Sequence, residues 1–145
     1  MSNQMKVTML LADSAQAVEG KLFILGGGWS MLGPEPSPIA IAVKVEVPWS
    51  DANAKHELRI ELVNEDGNAV SIETPIGEQN VEIRAPFEVG RPPGLPHGTP
   101  LDLCLAVNLG AIPLEPGRRY AFMLYIDDET KEDWRLGFLT RPANK

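Results

Sequence analysis

Cysteine is almost absent from this chain, because Cys104 is the only cysteine among its 145 residues. A single cysteine excludes an internal disulfide framework and a zinc site built from several cysteines. The fold must therefore be held by a buried apolar core, and the 43% apolar fraction is sufficient for one. Because domains typically contain about 100 to 200 residues, we expect residues 1–145 to form a single domain.

Positive charge is also scarce in the sequence. The 13 lysines and arginines are outnumbered by 20 aspartates and glutamates, and the longest cationic run is Arg118-Arg119. Nucleic-acid backbones and anionic membranes are bound by clustered cations. We therefore expect neither nucleic acid nor a membrane as a partner.

Long apolar runs are missing as well, and no stretch approaches the roughly 20 residues that span a bilayer. Lys6 precedes an apolar run at 7–12, but Asp13 closes that run before it reaches the usual length of a signal-peptide core. We expect a cytoplasmic protein or a virion component, not a protein secreted by means of a cleaved signal peptide.

Alternation of apolar and polar residues is the dominant pattern that the sequence does contain. It is clearest at 56–63, 101–109 and 120–126. A period of two places the apolar residues on one face of a β-strand. Weaker strand patterns occupy the segments 7–11, 21–25, 39–47, 69–74, 81–87 and 134–140. We predict an all-β fold with little helix, a two-sheet antiparallel β-sandwich of eight or nine strands, immunoglobulin-like or C2-like.

Turn residues mark the connections between these strands. Asp66-Gly67 is a strong hairpin signal and predicts that 69–74 pairs with 56–63. The segments 13–19 and 50–55 could each form a single helical turn. The segment 90–100, here called the strap, carries four prolines and three glycines. This composition predicts a stiff, extended connection that crosses from one sheet to the other.

Three consecutive glycines, Gly26 to Gly28, precede Trp29 and raise the question of a phosphate-binding loop. A phosphate loop opens a helix, and the proline-containing segment 30–36 cannot begin one. We interpret the glycines as a bend over which the tryptophan packs. The alternative is a ligand or partner contact, for which the candidate residues are Gly27, Gly28, Trp29, Arg91, Pro93 and Leu95.

Acidic residues cluster near the C-terminal end, and Asp127, Asp128 and Asp133 are the candidate ligands of a metal site. Calcium binds six to eight oxygens, which several loops at one end of a sandwich can supply. The simpler interpretation is a solvated hairpin turn between the last two strands.

A catalytic site is not evident in the sequence. His97 and Cys104 could form a dyad only if the fold brought them together, since a thiol needs a base within hydrogen-bond reach. Cys104 lies within a strand pattern, without the strained turn or helix N-terminus that activates a nucleophile. We expect a non-catalytic protein with a structural cysteine and no cofactor.

A series of short motifs resembles a known family. In chain order these are Lys21-Leu22-Phe23, Gly26-Gly27-Gly28-Trp29, Val47-Pro48-Trp49, Phe87-Glu88-Val89-Gly90-Arg91-Pro92-Pro93-Gly94-Leu95-Pro96, Gly98-Thr99-Pro100-Leu101, Asn108-Leu109-Gly110, Pro116-Gly117-Arg118 and Asp133-Trp134-Arg135-Leu136. Together they resemble an uncharacterised family of short single-domain proteins found in high-GC Gram-positive bacteria and their phages. The resemblance covers nearly the whole chain and implies one domain, cytosolic or phage-encoded, but it implies no activity or functional residue.

The favoured function is an interaction or assembly module that binds a protein partner or itself. A phage capsid or tail accessory protein and a bacterial protein-binding module are both compatible with that role. A small-ligand or calcium-binding module that uses the acidic loops is the alternative, and an enzyme is the least favoured class.

Overall fold

The computed structural model describes residues 4–143, and within them the chain forms twelve strands and one turn of 3₁₀ helix at Trp49–Asp51. The strands are β1 Lys6–Ala12, β2 Ser14–Val18, β3 Lys21–Leu25, β4 Met31–Leu32, β5 Pro38–Val47, β6 Lys55–Asn64, β7 Ser71–Thr74, β8 Gly77–Asn80, β9 Glu82–Glu88, β10 Leu101–Ala111, β11 Arg119–Ile126 and β12 Arg135–Thr140. The all-β prediction is confirmed, but the expected count of eight or nine strands is too low. No helix among the described residues is long and apolar enough to cross a bilayer.

Two main sheets form the sandwich. The three-stranded sheet has the order β1-β5-β10, and the five-stranded sheet has the order β4-β12-β11-β6-β9. Neighbouring strands are antiparallel except β4, which runs parallel to β12. Two further two-stranded ribbons, β2-β3 and β7-β8, extend this framework.

The core lies between the inner faces of the two main sheets. Alternate residues of β6 and β11 supply it, and their polar neighbours face outward, as a period of two requires. Trp134 and Phe122 are the largest fully buried side chains. Strand β5 is buried on both faces, because a second element covers its outer side.

That second element is the β2–β3 hairpin, which crosses the outer face of the three-stranded sheet. Ala15 of β2 packs in a small cluster with Ala12, Ala40 and Ala42, and their short side chains allow close approach. The amide of Asn108 accepts a hydrogen bond from the Ala15 N–H at 3.2 Å and donates one to the Ala15 carbonyl at 2.8 Å. These contacts hold the hairpin against β5 and β10.

The helical turn expected at 13–19 is wrong, because the chain forms strand β2 there. Glu19 and Gly20 have positive φ values of 52° and 73°, and they link the Val18–Lys21 pair as a two-residue hairpin turn. Pairing with β3 and burial of Ala15 outweigh the weak local helical preference of the segment. At 50–55 the expected single turn does occur, slightly earlier, as the 3₁₀ turn at Trp49–Asp51.

The turn at Asp66-Gly67 forms as predicted, but the strand that follows it has a different partner. The expected pairing with β6 begins with the Val63–Ala69 bridge and the hydrogen bonds from Asn64 N–H to Asn68 O and from Val70 N–H to Leu62 O, and it stops there. Strand β9 occupies the edge beside β6, so β7 pairs with β8 instead. The predicted pairing is therefore confirmed at residues 69–70 and wrong at 71–74, because β9 pairs with the rest of the β6 edge.

The strap leaves β9 in the five-stranded sheet and enters β10 in the three-stranded sheet, which confirms the predicted crossing. Its path contains two turns and is therefore less extended than expected. Gly94 and Gly98 have φ near 90°, which matches the third position of type II turns. The Thr99 N–H donates to the Pro96 carbonyl at 3.2 Å and closes the second turn.

Candidate functional site

The glycine run forms a bend, as the sequence indicated. Gly26 and Gly28 have positive φ values of 60° and 93°, and the Gly28 N–H donates to the Leu11 carbonyl at 2.7 Å. A Cβ atom at Gly27 would lie 2.6 Å from the Ile24 side chain. Glycine is therefore required here by backbone conformation and by space, which accounts for the run without a ligand.

Trp29 belongs to the core more than to the surface. It is half-buried, packs against the core cluster, and meets Phe138 edge-on with ring centroids 6.0 Å apart. Its indole N–H is buried and has no hydrogen-bond partner within residues 4–143. The structure therefore accounts for Trp29 as an aromatic packing residue.

The strap residues lie around Trp49, which precedes β6 in the chain. Arg91 donates to the Trp49 carbonyl and places its guanidinium over the Trp49 ring, 4.8 Å from the centroid. The His97 ring lies 5.2 Å from the same indole, centroid to centroid. Arg91 and His97 thus both contact Trp49 and hold the strap against it.

Pro93 and Leu95 are exposed at the turn of the strap. No hydrogen bond or ring contact joins the strap to the Gly27–Trp29 bend among the described residues. The candidate contact residues therefore have different neighbours, since Trp29 contacts Phe138 and Arg91 contacts Trp49.

Asp127 and Asp128 form a tight turn after β11, as the simpler interpretation proposed. Both residues have positive φ, 53° and 64°, which aspartate tolerates better than most residues. The Glu129 N–H donates to the Ile126 carbonyl at 3.0 Å and the Ile126 N–H donates to the Glu129 carbonyl at 2.9 Å. Asp128 pairs with Arg59, and Asp133 is exposed.

His56 lies between two hydrogen-bond acceptors. Its Nδ1 atom is 2.7 Å from Asp127 Oδ2, and its Nε2 atom is 2.8 Å from the Asp51 carbonyl oxygen. The ring also stacks on Phe87 with centroids 5.3 Å apart. Burial of the ring lowers the pKa of His56, but the hydrogen bonds to Asp127 and the Asp51 carbonyl outweigh it, and the pKa rises above 6.5. Since both nitrogens face acceptors, the geometry favours the imidazolium form.

Among the residues that the structure describes, no hydrogen bond joins His97 to Cys104. No three histidine, cysteine or acidic side chains in the described part of the chain cluster so as to hold a metal ion. Cys104 is half-buried on β10, and His97 is engaged with Trp49. The calcium-binding alternative stays a prediction that no contact here favours.

A surface that sequence reasoning missed lies on the outward side of the β2–β3 hairpin. Val18, Phe23 and Leu25 alternate with residues that face the sheet, and they are 46%, 55% and 72% exposed. We call these three residues the hairpin face. Phe23 and Leu25 also line a shallow groove of about 360 Å³, together with Ser14, Gln16 and Ile24.

A sequence signal for this surface did exist. The segment 22–25 is apolar at four consecutive positions. A strand buried on one side only alternates, so a continuous apolar run requires a partner on both sides. In this structure the inner side meets the sheet and the outer side meets solvent.

Comparison with known proteins identifies a family. The model of a family of unknown function, DUF6941, matches residues 7–138, from the second residue of β1 to Phe138 in β12. No curated protein and no solved structure matches the chain. The matched range includes both main sheets, the hairpin and the strap, and the chain therefore belongs to the DUF6941 family.

Proposed function

We propose that this protein is a non-catalytic assembly module that associates with a second copy of itself through the β2–β3 hairpin. The observation that carries the proposal is the hairpin face, where Phe23 and Leu25 are more than half exposed. Apolar residues that lie singly on a surface need no explanation, but a contiguous apolar patch marks an interaction site.

The unpaired edge of strand β3 also supports self-association through the hairpin. Among residues 4–143, strand β3 forms a ladder with β2 alone, so its other edge has unpaired backbone groups. Proteins usually protect such edges with charges, prolines or very short strands. Strand β9 follows this rule, with Pro86 and the charged residues Glu82 and Arg84, whereas β3 carries only Lys21 at its start.

A two-fold pairing of β3 with its copy is geometrically self-consistent. Antiparallel pairing centred on Phe23 would place the phenyl rings of the two copies opposite each other, and Lys21 opposite Leu25. An isologous interface needs a self-complementary patch, and the apolar residues Phe23 and Leu25 meet that condition, with Lys21 of each copy at the ends of the pairing. Cross-strand aromatic pairs also stabilise antiparallel sheets.

This function suits a protein that acts by repeated association, in the cytoplasm or within a virion. A capsid or tail accessory protein of a phage is the narrower form of the proposal. Its support is the same surface, since virion proteins assemble through complementary faces and need no catalytic residue.

Light scattering on a size-exclusion column tests the proposal. We expect the wild type to elute as a dimer and the double variant F23T/L25T to elute as a monomer at the same concentration. Threonine keeps the β-strand preference of the segment while removing apolar surface. The matched control is Ile76→Thr, which removes a side chain that is 83% exposed at the tip of the β7–β8 ribbon. That variant should remain a dimer.

Two results contradict this function. The first is a wild type that stays monomeric at high protein concentration. The second is a dimer that F23T/L25T leaves intact. In either case the hairpin face would have to bind a different protein or none.

A further inference from the structure

Most arginines of this acidic chain are already engaged by other groups. Arg59, Arg84 and Arg118 form ion pairs with carboxylates, and Arg91 is bound to Trp49. Arg119 and Arg135 differ, because neither forms an ion pair, hydrogen bond or ring contact within residues 4–143. The side chains of Arg141, Lys21 and Lys55 also form none of these contacts within residues 4–143, but Arg119 and Arg135 are the two such cations on β11 and β12.

The two arginines lie on adjacent strands and point to the same side. Arg119 begins β11 and Arg135 begins β12, and both belong to the outward-facing set of the five-stranded sheet. In the antiparallel register Arg119 faces Leu139 and Arg135 faces Met123, so the Ala121–Gly137 pair lies midway between them. The two Cα atoms are thus about four residue steps apart, or roughly 14 Å along the strands. Two long side chains can approach each other across that distance.

Between them lies a recess of about 310 Å³. Its lining includes Arg119, Arg135, Ser30, Met31 and Leu139, with Gly137 in the floor. The floor is open because Gly137 has no side chain, and a Cβ atom there would have Tyr120 O as its nearest neighbour, at 4.0 Å. Met31, which is half exposed, and Leu139 form a neighbouring apolar wall.

We propose that this recess binds the dianionic phosphate group of a small phosphate monoester. Each guanidinium carries one positive charge and a planar pair of N–H donors that match two oxygens of an anion. A carboxylate has one charge and can satisfy one such fork. A phosphate monoester carries up to two charges near neutral pH and three terminal oxygens, so it can satisfy both.

The remaining residues complete this assignment. Ser30 lines the same recess, and a serine hydroxyl can donate to a phosphate oxygen. The Met31–Leu139 wall can contact an apolar body attached to the phosphate. The overall negative charge of the protein does not oppose binding at this distance scale, because salt screens distant surface charges within about 10 Å.

This site goes beyond the proposed assembly function and is independent of it. The β2–β3 hairpin lies over the outer side of the three-stranded sheet, whereas the recess lies on the outer side of the five-stranded sheet. The monomeric hairpin variant should therefore bind the phosphate compound as the wild type does.

Titration of the full chain with phenyl phosphate, followed by amide NMR shifts at constant ionic strength, tests the proposal. We expect saturable shifts in β11 and β12. Each of the variants R119Q and R135Q should weaken binding by about tenfold or more, since a charge-assisted hydrogen bond is lost. The matched control is Arg84→Gln, which removes an exposed arginine from the same sheet face and should leave binding unchanged.

Two further probes refine the same experiment. Phenyl sulfate has the same shape and only one charge, so it should bind more weakly than phenyl phosphate. The substitution Gly137→Val fills the floor of the recess, and the backbone of Gly137 accepts a side chain because its φ is not positive. This variant should fold and lose binding.

Three outcomes overturn the site. They are the absence of saturable binding by the wild type, binding that R119Q and R135Q leave unchanged, and equal affinity for phenyl phosphate and phenyl sulfate. Loss of binding in Arg84→Gln would also overturn it, because attraction would then depend on general charge and not on the two arginines.

Discussion

The contact between Asn108 and Ala15 offers the sharpest test of how the hairpin is attached. The Asn108 amide meets both the N–H and the carbonyl of Ala15, which is 1% exposed. Replacing Asn108 with alanine leaves both backbone groups without this partner. An unsatisfied buried polar group costs about 1–3 kcal/mol, so two partly buried groups should cost about 2–4 kcal/mol of unfolding free energy.

The substitution Asn108→Asp separates hydrogen bonding from packing, because it keeps the shape of the side chain. The introduced carboxylate can still accept from the Ala15 N–H, but it opposes the Ala15 carbonyl with a negative charge. A carboxyl group stabilised in its neutral form has a raised pKa in the folded state. The destabilisation should therefore be large at pH 7 and shrink as the pH falls through the raised folded-state pKa. It should be smallest below the ordinary aspartate value of about 3.9, where the carboxyl is neutral in both states and can donate again.

Urea unfolding followed by tryptophan fluorescence measures these differences, and hydrogen exchange at the Ala15 amide reports the local opening. Asn80→Ala is the matched control, since Asn80 is exposed at the end of β8 and should change stability by less than about 0.5 kcal/mol. The reasoning is refuted if Asn108→Ala costs no more than Asn80→Ala, or if the Ala15 amide exchanges at an unchanged rate.

Three further predictions concern separate parts of the fold. The raised pKa of His56 means that its stabilising contribution is complete below about pH 6.5 and is lost as the pH rises through the folded-state value. The difference in urea stability between wild type and His56→Gln should thus be larger at pH 6 than at pH 9, and a difference that grows with pH contradicts the geometry. Trp49→Ala removes the ring under Arg91 and should cost about 1–3 kcal/mol and shift the His97 ring proton resonances, whereas unchanged shifts would argue against the stacked strap. Phe122→Ala should cost about 3–5 kcal/mol by calorimetry or urea unfolding, because the ring is fully buried, and a cost below 1 kcal/mol would be incompatible with this core.

Local pattern was sufficient for much of the sandwich. The alternation at 120–126 identified the side of β11 that is buried, and Phe122 and Leu124 are indeed fully buried. The proline content of the strap predicted a connection outside any sheet, since proline lacks the N–H that a sheet requires. The glycine bend at 26–28 was also readable, because its residues and its missing helix are local properties.

Pairing between distant segments was not readable in the same way. The side chains of His56 and Asp127 are 71 positions apart in the chain and meet only because β6 and β11 are neighbours. A single helical turn was considered for 13–19 because the pairing of β2 with β3 and its alanine contacts are not visible in a short window of sequence. The partner of β7 changed for the same reason, since β9 occupied the edge that the local turn signal had assigned to it.

The sequence by itself determined the class of this fold, since the apolar period of two is a property of each strand and survives any arrangement of the sheets. Only the tertiary structure decided which side chains remain exposed to solvent and which of them are neighbours. Phe23 and Leu25 read as ordinary strand residues until the hairpin was seen to expose them. Arg119 and Arg135 share a recess because two antiparallel strands set their register. Such surfaces depend on which distant segments pair, because pairing energy comes from contacts that no local stretch of sequence contains.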